Sequence, residues 1–167
     1  MNDVEVVHWD NADPEHVAAQ LREGKLSAKQ IASAINIIAK AEFSSALPQV
    51  EAALDSDDPV VRISALNALS FTFASDRRFE KILEMFQTDA DEDVRCSAAT
   101  TLGLLSRRGA HSEIPGILAV VIKNNAESDY VRTSAFEAFM DALGIPSRDR
   151  EPVAAGDLST INWALLS

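Results

Sequence analysis

Cysteine is almost missing from this 167-residue chain: Cys96 stands alone, which excludes an intrachain disulfide and any metal site built from thiolates. Histidine is scarce as well. His8, His16 and His111 lie far apart, with none of the spacing that metal binding or a nucleophile–base pair requires. The 6 glycines never cluster into a phosphate-cradling loop. Basic residues are outnumbered, 15 Lys and Arg against 26 Asp and Glu, for a formal net charge of −11. That balance argues against nucleic acid as a partner, because such affinity rests on neutralising phosphates. No stretch approaches the ~18 apolar residues of a membrane span, so no membrane role is expected. Met1 to Trp9 offer neither a basic nor a long apolar leader region, so a secretory signal is not expected and the cytoplasm is the expected compartment.

What the chain does have is a repeat. Arg62-Ile-Ser-Ala65, Arg95-Cys-Ser-Ala98 and Arg132-Thr-Ser-Ala135 each follow a valine, and their arginines are 33 and then 37 residues apart. A period of that size marks stacked helical hairpins. Counted from the shared serines (Ser64, Ser97, Ser134), a valine stands at −3, an alanine at +1 and Leu69, Leu102 or Phe139 at +5. These offsets fall within about 80° on a helix turning ~100° per residue, so they form one buried stripe. Ser33-Ala34-Ile35-Asn36-Ile37-Ile38 is a degenerate upstream copy with Ile31 in place of the arginine, as suits a terminal repeat.

Each copy is preceded by a first helix with apolar residues at i, i+3, i+4 and i+7: Ala46 to Leu54, Arg78 to Phe86 and Ile114 to Ile122. Upstream, Asp13 caps a helix opening at Pro14, and Ser27 with Gln30 forms a capping box. Gly24, Gly109 and Gly144 mark helix ends. The expected layout is a single domain over 1–167, with an N-terminal arm (1–13), a degenerate first hairpin (14–41), three clear repeats (43–143), a Pro-rich connector (145–156) and a C-terminal lid (157–167). A short helix from Asp157 to Leu166 would close the last repeat's apolar flank; alternatively Trp163 faces solvent and anchors a partner.

The run Asp57-Asp58-Pro59-Val60-Val61-Arg62-Ile63-Ser64-Ala65-Leu66-Asn67-Ala68-Leu69 resembles the second-helix signature of HEAT repeats, nearest to the short HEAT-like subtype of phycobilin lyases and bacterial scaffolds. Asp91 to Leu104 and Ser128 to Phe139 resemble two further copies. The resemblance covers roughly residues 27–143. It implies an all-α, right-handed α-solenoid of about four helical hairpins with a C-terminal capping helix. It also implies that Arg62, Arg95 and Arg132 pair with acids near the turns, such as Asp58, Asp91 and Asp129, and that the second helices line a concave inner wall. The metal hydroxylases of this fold are similar to one another in repeated His-Glu dyads, and here no histidine precedes a glutamate.

Two surfaces are candidates for a partner. The turns within the hairpins carry Asp55, Asp57 and Asp58, then Asp89, Asp91, Glu92 and Asp93, then Glu127 and Asp129. Some of these acids cap helices, yet the middle turn holds more than capping needs, so an acidic binding edge is the other reading. Asp89-x-Asp91-x-Asp93 lacks the glycine and the distal glutamate of a calcium loop, so no metal is expected there. The second surface is the row at offsets −1 and +3 on the second helices: Ile63 and Asn67, Cys96 and Thr100, Thr133 and Glu137, with Ala32 and Asn36 upstream and Phe71 and Met140 nearby. It mixes polar and apolar residues, as a protein-binding groove or a solvated face would. Nothing beside Cys96 suggests a lowered thiol pKa, and it is expected to pack as a small thiol.

The expected function is therefore a protein-binding module without catalytic residues or cofactor. Its acidity suits a bacterial immunity or inhibitor protein that holds a basic toxin domain. A chromophore or cofactor lyase, by likeness to the phycobilin lyases, and a general adaptor scaffold are the alternatives. An exposed end of the stack also offers a surface for self-association.

Overall fold

The structure is a computed structural model that describes residues 13–166. The N-terminal arm expected over 1–13, including His8, lies outside the described residues except for Asp13, as does Ser167. Eight α-helices follow in chain order: α1 Pro14–Glu23, α2 Ala28–Lys40, α3 Leu47–Ala52, α4 Pro59–Asn67, α5 Phe79–Thr88, α6 Glu92–Arg107, α7 Ile114–Lys123 and α8 Asp129–Ala142. They pair as four helical hairpins. Each even-numbered helix packs against the next, α2 on α4, α4 on α6 and α6 on α8, while the odd-numbered helices back them. The architecture is the α-solenoid that the repeat period implies.

Local chemistry sets the helix starts. Asp13 accepts from Glu15 N–H at 3.2 Å, Asp58 from Val60 N–H at 2.9 Å, Asp91 from Val94 N–H at 3.1 Å, and the Ser128 hydroxyl from Val131 N–H at 3.3 Å. Each satisfies an amide that the first helical turn leaves unpaired. Gln30 accepts from the Ser27 N–H, the reach-back of a capping box. Proline occupies the first turn of α1, α3, α4 and α7, where its missing N–H costs nothing.

The apolar stripe is buried as its spacing implies. Val61, Ala65 and Leu69, then Val94, Ala98 and Leu102, then Val131, Ala135 and Phe139 all lie in one continuous core, joined by Ala34 and Ile38 of α2. Each fully buried Leu or Phe contributes about 1.5–3 kcal/mol. The closest approach lies between α6 and α8. A methyl group on Gly103 would stand 2.5 Å from the Ala138 carbonyl oxygen and 2.9 Å from the Ala138 Cα. Only a residue without a side chain lets these backbones meet.

Two features depart from the expected pattern. Beyond Asn67 the chain widens into a π-helical turn, Ala68–Phe73, that ends at Ala74 with φ 49°. The Ser70 hydroxyl donates to Asn67 O, and Arg108 Nη1 donates to Ser70 O at 2.5 Å, so a side chain takes up a carbonyl in the widened turn. The C-terminal cap is also not one α-helix. It consists of 3-10 turns, Leu158–Thr160 and Trp163–Leu166, after an earlier one at Ser147–Asp149. The carboxylate of Asp157 accepts from Ser159 N–H and the side chain of Asn162 from Ala164 N–H, so each starts a fresh turn instead of extending a helix. Ile161 and Leu166 are buried, and Lys123 Nζ donates to Leu166 O. The segment covers the flank of α8 where a further hairpin would stack.

Candidate functional site

The three repeat arginines do not meet the acids that the resemblance implied, except for one. Arg62 grips Asp89 with two parallel bonds, Nε to Oδ2 at 2.9 Å and Nη2 to Oδ1 at 2.7 Å, and its Nη1 donates to the carbonyls of Ser56 and Asp57. Arg95 reaches Glu127 at 3.1 Å and the carbonyl of Asp89 at 2.7 Å. Arg132 does pair with Asp129, at 3.1 Å, and donates to Ile122 O and Asn125 Oδ1. Asp58 and Asp91 are unavailable because their carboxylates already cap α4 and α6. Arg62 and Arg95 therefore reach forward and tie each repeat to the next. Arg132 has no further repeat ahead of it and lies 5.9 Å from the ring centre of Trp163 in the cap, a cation–π contact.

This arrangement accounts for most of the acids in the turns. Asp89 and Glu127 belong to the arginine ladder, and Asp58 and Asp91 to helix caps. Asp55 is held by Arg78 at 2.7 Å, which with Lys81 keeps its carboxyl below the usual range. Glu92 stands 3.6 Å from Arg95, and Asp93 accepts from the Tyr130 hydroxyl at 3.2 Å. Among the described residues only Asp57 of this group has a carboxylate without a hydrogen bond or ion pair. Of the turn acids, Asp55, Asp57, Glu92, Asp93 and Asp129 are exposed to solvent.

The inner row also sorts itself. Asn36, Asn67 and Glu137 are exposed, Thr100 is half-buried with its hydroxyl donating to Cys96 O, and Ile63 is half-buried against the core. Phe71 stands 62% exposed on the π turn. Thr133 and Met140 do not belong to an open groove. Thr133 is buried under the C-terminal segment and accepts from Gly156 N–H at 3.0 Å, and Met140 is buried in the core. Cys96 is nearly covered, and burial pushes its thiol pKa up, the behaviour of a packed thiol. Glu137 has a raised carboxyl pKa, first through burial and then through repulsion from Asp141, with Arg150 acting weakly against both. Asp141 itself takes Arg150 at 2.7 Å and Arg107 at 3.6 Å, which leaves Glu137 without a cation.

A cleft of about 480 Å³ opens between α2 and α4, bounded by Lys29, Ala32, Ser33, Asn36, Val60 and Ser64. A second hollow, of about 420 Å³, lies at the turn edge among Asp55, Arg62, Lys81 and Asp89, side chains bound to one another as described above. His111 stacks flat on Phe79 at 3.6 Å, between Asp76 and Glu113, and touches no nucleophile. Among the described residues no cluster of His, Cys, Asp and Glu is placed to hold a metal ion, and no helix is long and apolar enough to cross a membrane.

With the stacked hairpins and their arginine ladder in view, comparison with known families is decisive for the fold. The family model for HEAT repeats matches residues 15–103. The chain belongs to the HEAT-repeat family. No curated protein gives a match. HEAT repeats generally mediate protein–protein interaction, and the family is typically a non-enzymatic scaffold. The matched span includes α2, whose Ile31 stands where the other inner helices carry the ladder arginine. In this HEAT protein Ile31 cannot make the forward joint that Arg62 and Arg95 make, so the step from α2 to α4 lacks a ladder rung of that kind.

Proposed function

We propose that this HEAT-repeat protein is a binding module that captures a basic protein, in the manner of a bacterial immunity or inhibitor protein holding a toxin domain inactive. One observation carries the reading. Even with caps and arginine contacts in place, Asp55, Asp57, Glu92, Asp93 and Asp129 face solvent, and Glu137 is exposed on α8 with no ion pair of its own. A chain of net charge −11 with such a surface draws a cationic partner and repels nucleic acid. Nothing in this role calls for a catalytic group or a cofactor.

The test starts with a tagged pull-down from native cells. The reading requires a stoichiometric basic partner that is toxic when expressed alone and harmless when the two are expressed together. The association rate with the purified partner should fall steeply from low to physiological salt, because exposed charges are screened over about 8–10 Å. A salt-independent rate, or a partner of neutral or acidic character, refutes the proposal.

A further inference from the structure

The outer helices differ in what they turn to solvent. α1 exposes Glu15, Arg22 and Glu23, and α5 exposes Glu80, Glu84 and Gln87. α7 exposes Gly116 and Val120 instead. At 69% exposure Val120 is the most open large apolar side chain among the described residues. The charges of this helix stand at its two ends, Glu113 at the N-cap and Lys123 in the last turn, and both are exposed. Glu113, Gly116, Val120 and Lys123 follow one another at spacings of 3, 4 and 3. On a helix turning ~100° per residue they fall within about 80°, opposite the buried Ile114, Leu118 and Ile122.

The spacing reads the same in both directions, while the chemistry runs acid, glycine, valine, base. Laid antiparallel on a copy of itself, with the two-fold axis at the level of Leu118, this face meets its own complement. Glu113 of one copy comes opposite Lys123 of the other, and Val120 opposite Gly116, where the space above the backbone is open. A parallel arrangement sets acid on acid and base on base, which selects against it.

We infer that α7 is the contact of a homodimer, in which two copies of this chain pair antiparallel through Glu113, Gly116, Val120 and Lys123. A two-fold contact makes every interaction twice, so both charges of each copy are matched. Both are free to be matched. Glu113 has His111 Nδ1 at 3.3 Å and no lysine or arginine beside it, and Lys123 donates to Leu166 O and meets no carboxylate among the described residues. Charge also says why the copies meet here. At −11 each, two chains repel over most of their surfaces, and α7 itself contains no acid. The helix has only 10 residues, less than a stable dimer needs when each partner buries about 800 Å². Exposed Leu165 and Trp163 belong to the cap that Lys123 holds through Leu166 O, and they widen the contact at that end. The dimer is accordingly a weak one. It lies on the outer side of the last hairpin, and the capture proposal stands or falls separately from it.

The test is sedimentation equilibrium of the full chain from about 5 to about 500 µM at physiological salt. The mass should rise from that of one chain toward that of two, with a Kd of about 10–100 µM. Val120→Asp changes a side chain that the core does not use, and should weaken association at least about tenfold with an unchanged circular dichroism spectrum. Glu113→Lys and Lys123→Glu should each lose self-association when alone. Mixed in equal amounts, these two variants should pair with each other, because each supplies the charge that the other lacks, a rescue that a merely structural role does not produce. A chain that stays monomeric at the highest concentration, association that survives Val120→Asp, or folded charge-reversal variants that stay apart when mixed overturns the inference.

Discussion

Replacing Gly103 with alanine adds one methyl group where α6 lies against α8, and two effects of opposite sign compete. In a helix interior alanine is favoured over glycine by about 1 kcal/mol. Against that, the new Cβ would stand 2.5 Å from Ala138 O, 2.9 Å from its Cα and 3.0 Å from its carbonyl carbon. These are backbone atoms in the middle of another helix, so no rotamer change relieves the contact and the two helices must separate. Overpacking of this kind costs about 1–3 kcal/mol, and more where backbone has to move. The clash wins: Gly103→Ala should destabilise the protein by about 1–2 kcal/mol net, or roughly 2–8 °C in Tm for a chain of this size. Gly116 in the first turn of α7 is the control. A methyl group there meets nothing within 4 Å, so Gly116→Ala should stabilise by about 0.5 kcal/mol. Urea denaturation followed by far-ultraviolet circular dichroism measures both. The reasoning fails if Gly103→Ala is as stable as the parent while Gly116→Ala behaves as expected.

Three other perturbations follow from the same geometry. Arg62→Ala leaves Asp89 without its bidentate partner in a largely covered site and should cost about 3 kcal/mol, with a strong coupling to Asp89→Ala in a double-mutant cycle; additive effects would show that the ladder does not join the repeats. Glu137 has a folded-state pKa above its unfolded value, so its favourable contribution is complete below the unfolded value, about 4.3, and is lost as pH rises through the raised one. Glu137→Gln should accordingly be more stable than the parent at about pH 7 and indistinguishable from it at about pH 4, and a thermal-shift gap of equal size at both pH values contradicts this. Removing residues 145–167 takes Ile161 and Leu166 out of the core and strips the cover from Thr133, and should turn a single size-exclusion peak into associated species; a well-behaved truncated protein would show that the cap covers nothing essential.

The hairpins were legible because helices advertise themselves locally. Asp13, Ser27 with Gln30, and Asp58 with Pro59 mark starts within a residue, and the offsets −3, +1 and +5 mark the buried face without knowledge of any neighbour. What depends on distant chain was not legible. Asp58 stands four residues before Arg62 and looks like its partner, but the cap claims that carboxylate and Asp89 takes the arginine from 27 residues away. Thr133 has the spacing of an open wall, and only the later arrival of Gly156 covers it; Met140 has it too, and is buried in the core. Gly103 carried no signal because a glycine within a helix reads as weak propensity until the opposing backbone is known. The row of Asn36, Asn67, Thr100 and Glu137 could be named from the repeat register alone, whereas which of its members stand open needed the fold.

The forward reach of the arginines bears on how such a chain can change length. Each joint consists of an arginine in one inner helix and an acid in the turn before the next: Arg62 with Asp89, and Arg95, at the equivalent position, with Glu127. The joints are interchangeable in kind, so excising the third hairpin would leave Arg62 facing Glu127, and duplicating it would supply a further joint ready-made. The contact between Arg132 and Trp163 is different, because it is needed once and only at the end. Growth by copying hairpins must therefore happen upstream of the tryptophan, and the segment that closes the stack travels unchanged with the last helix whatever the number of repeats before it.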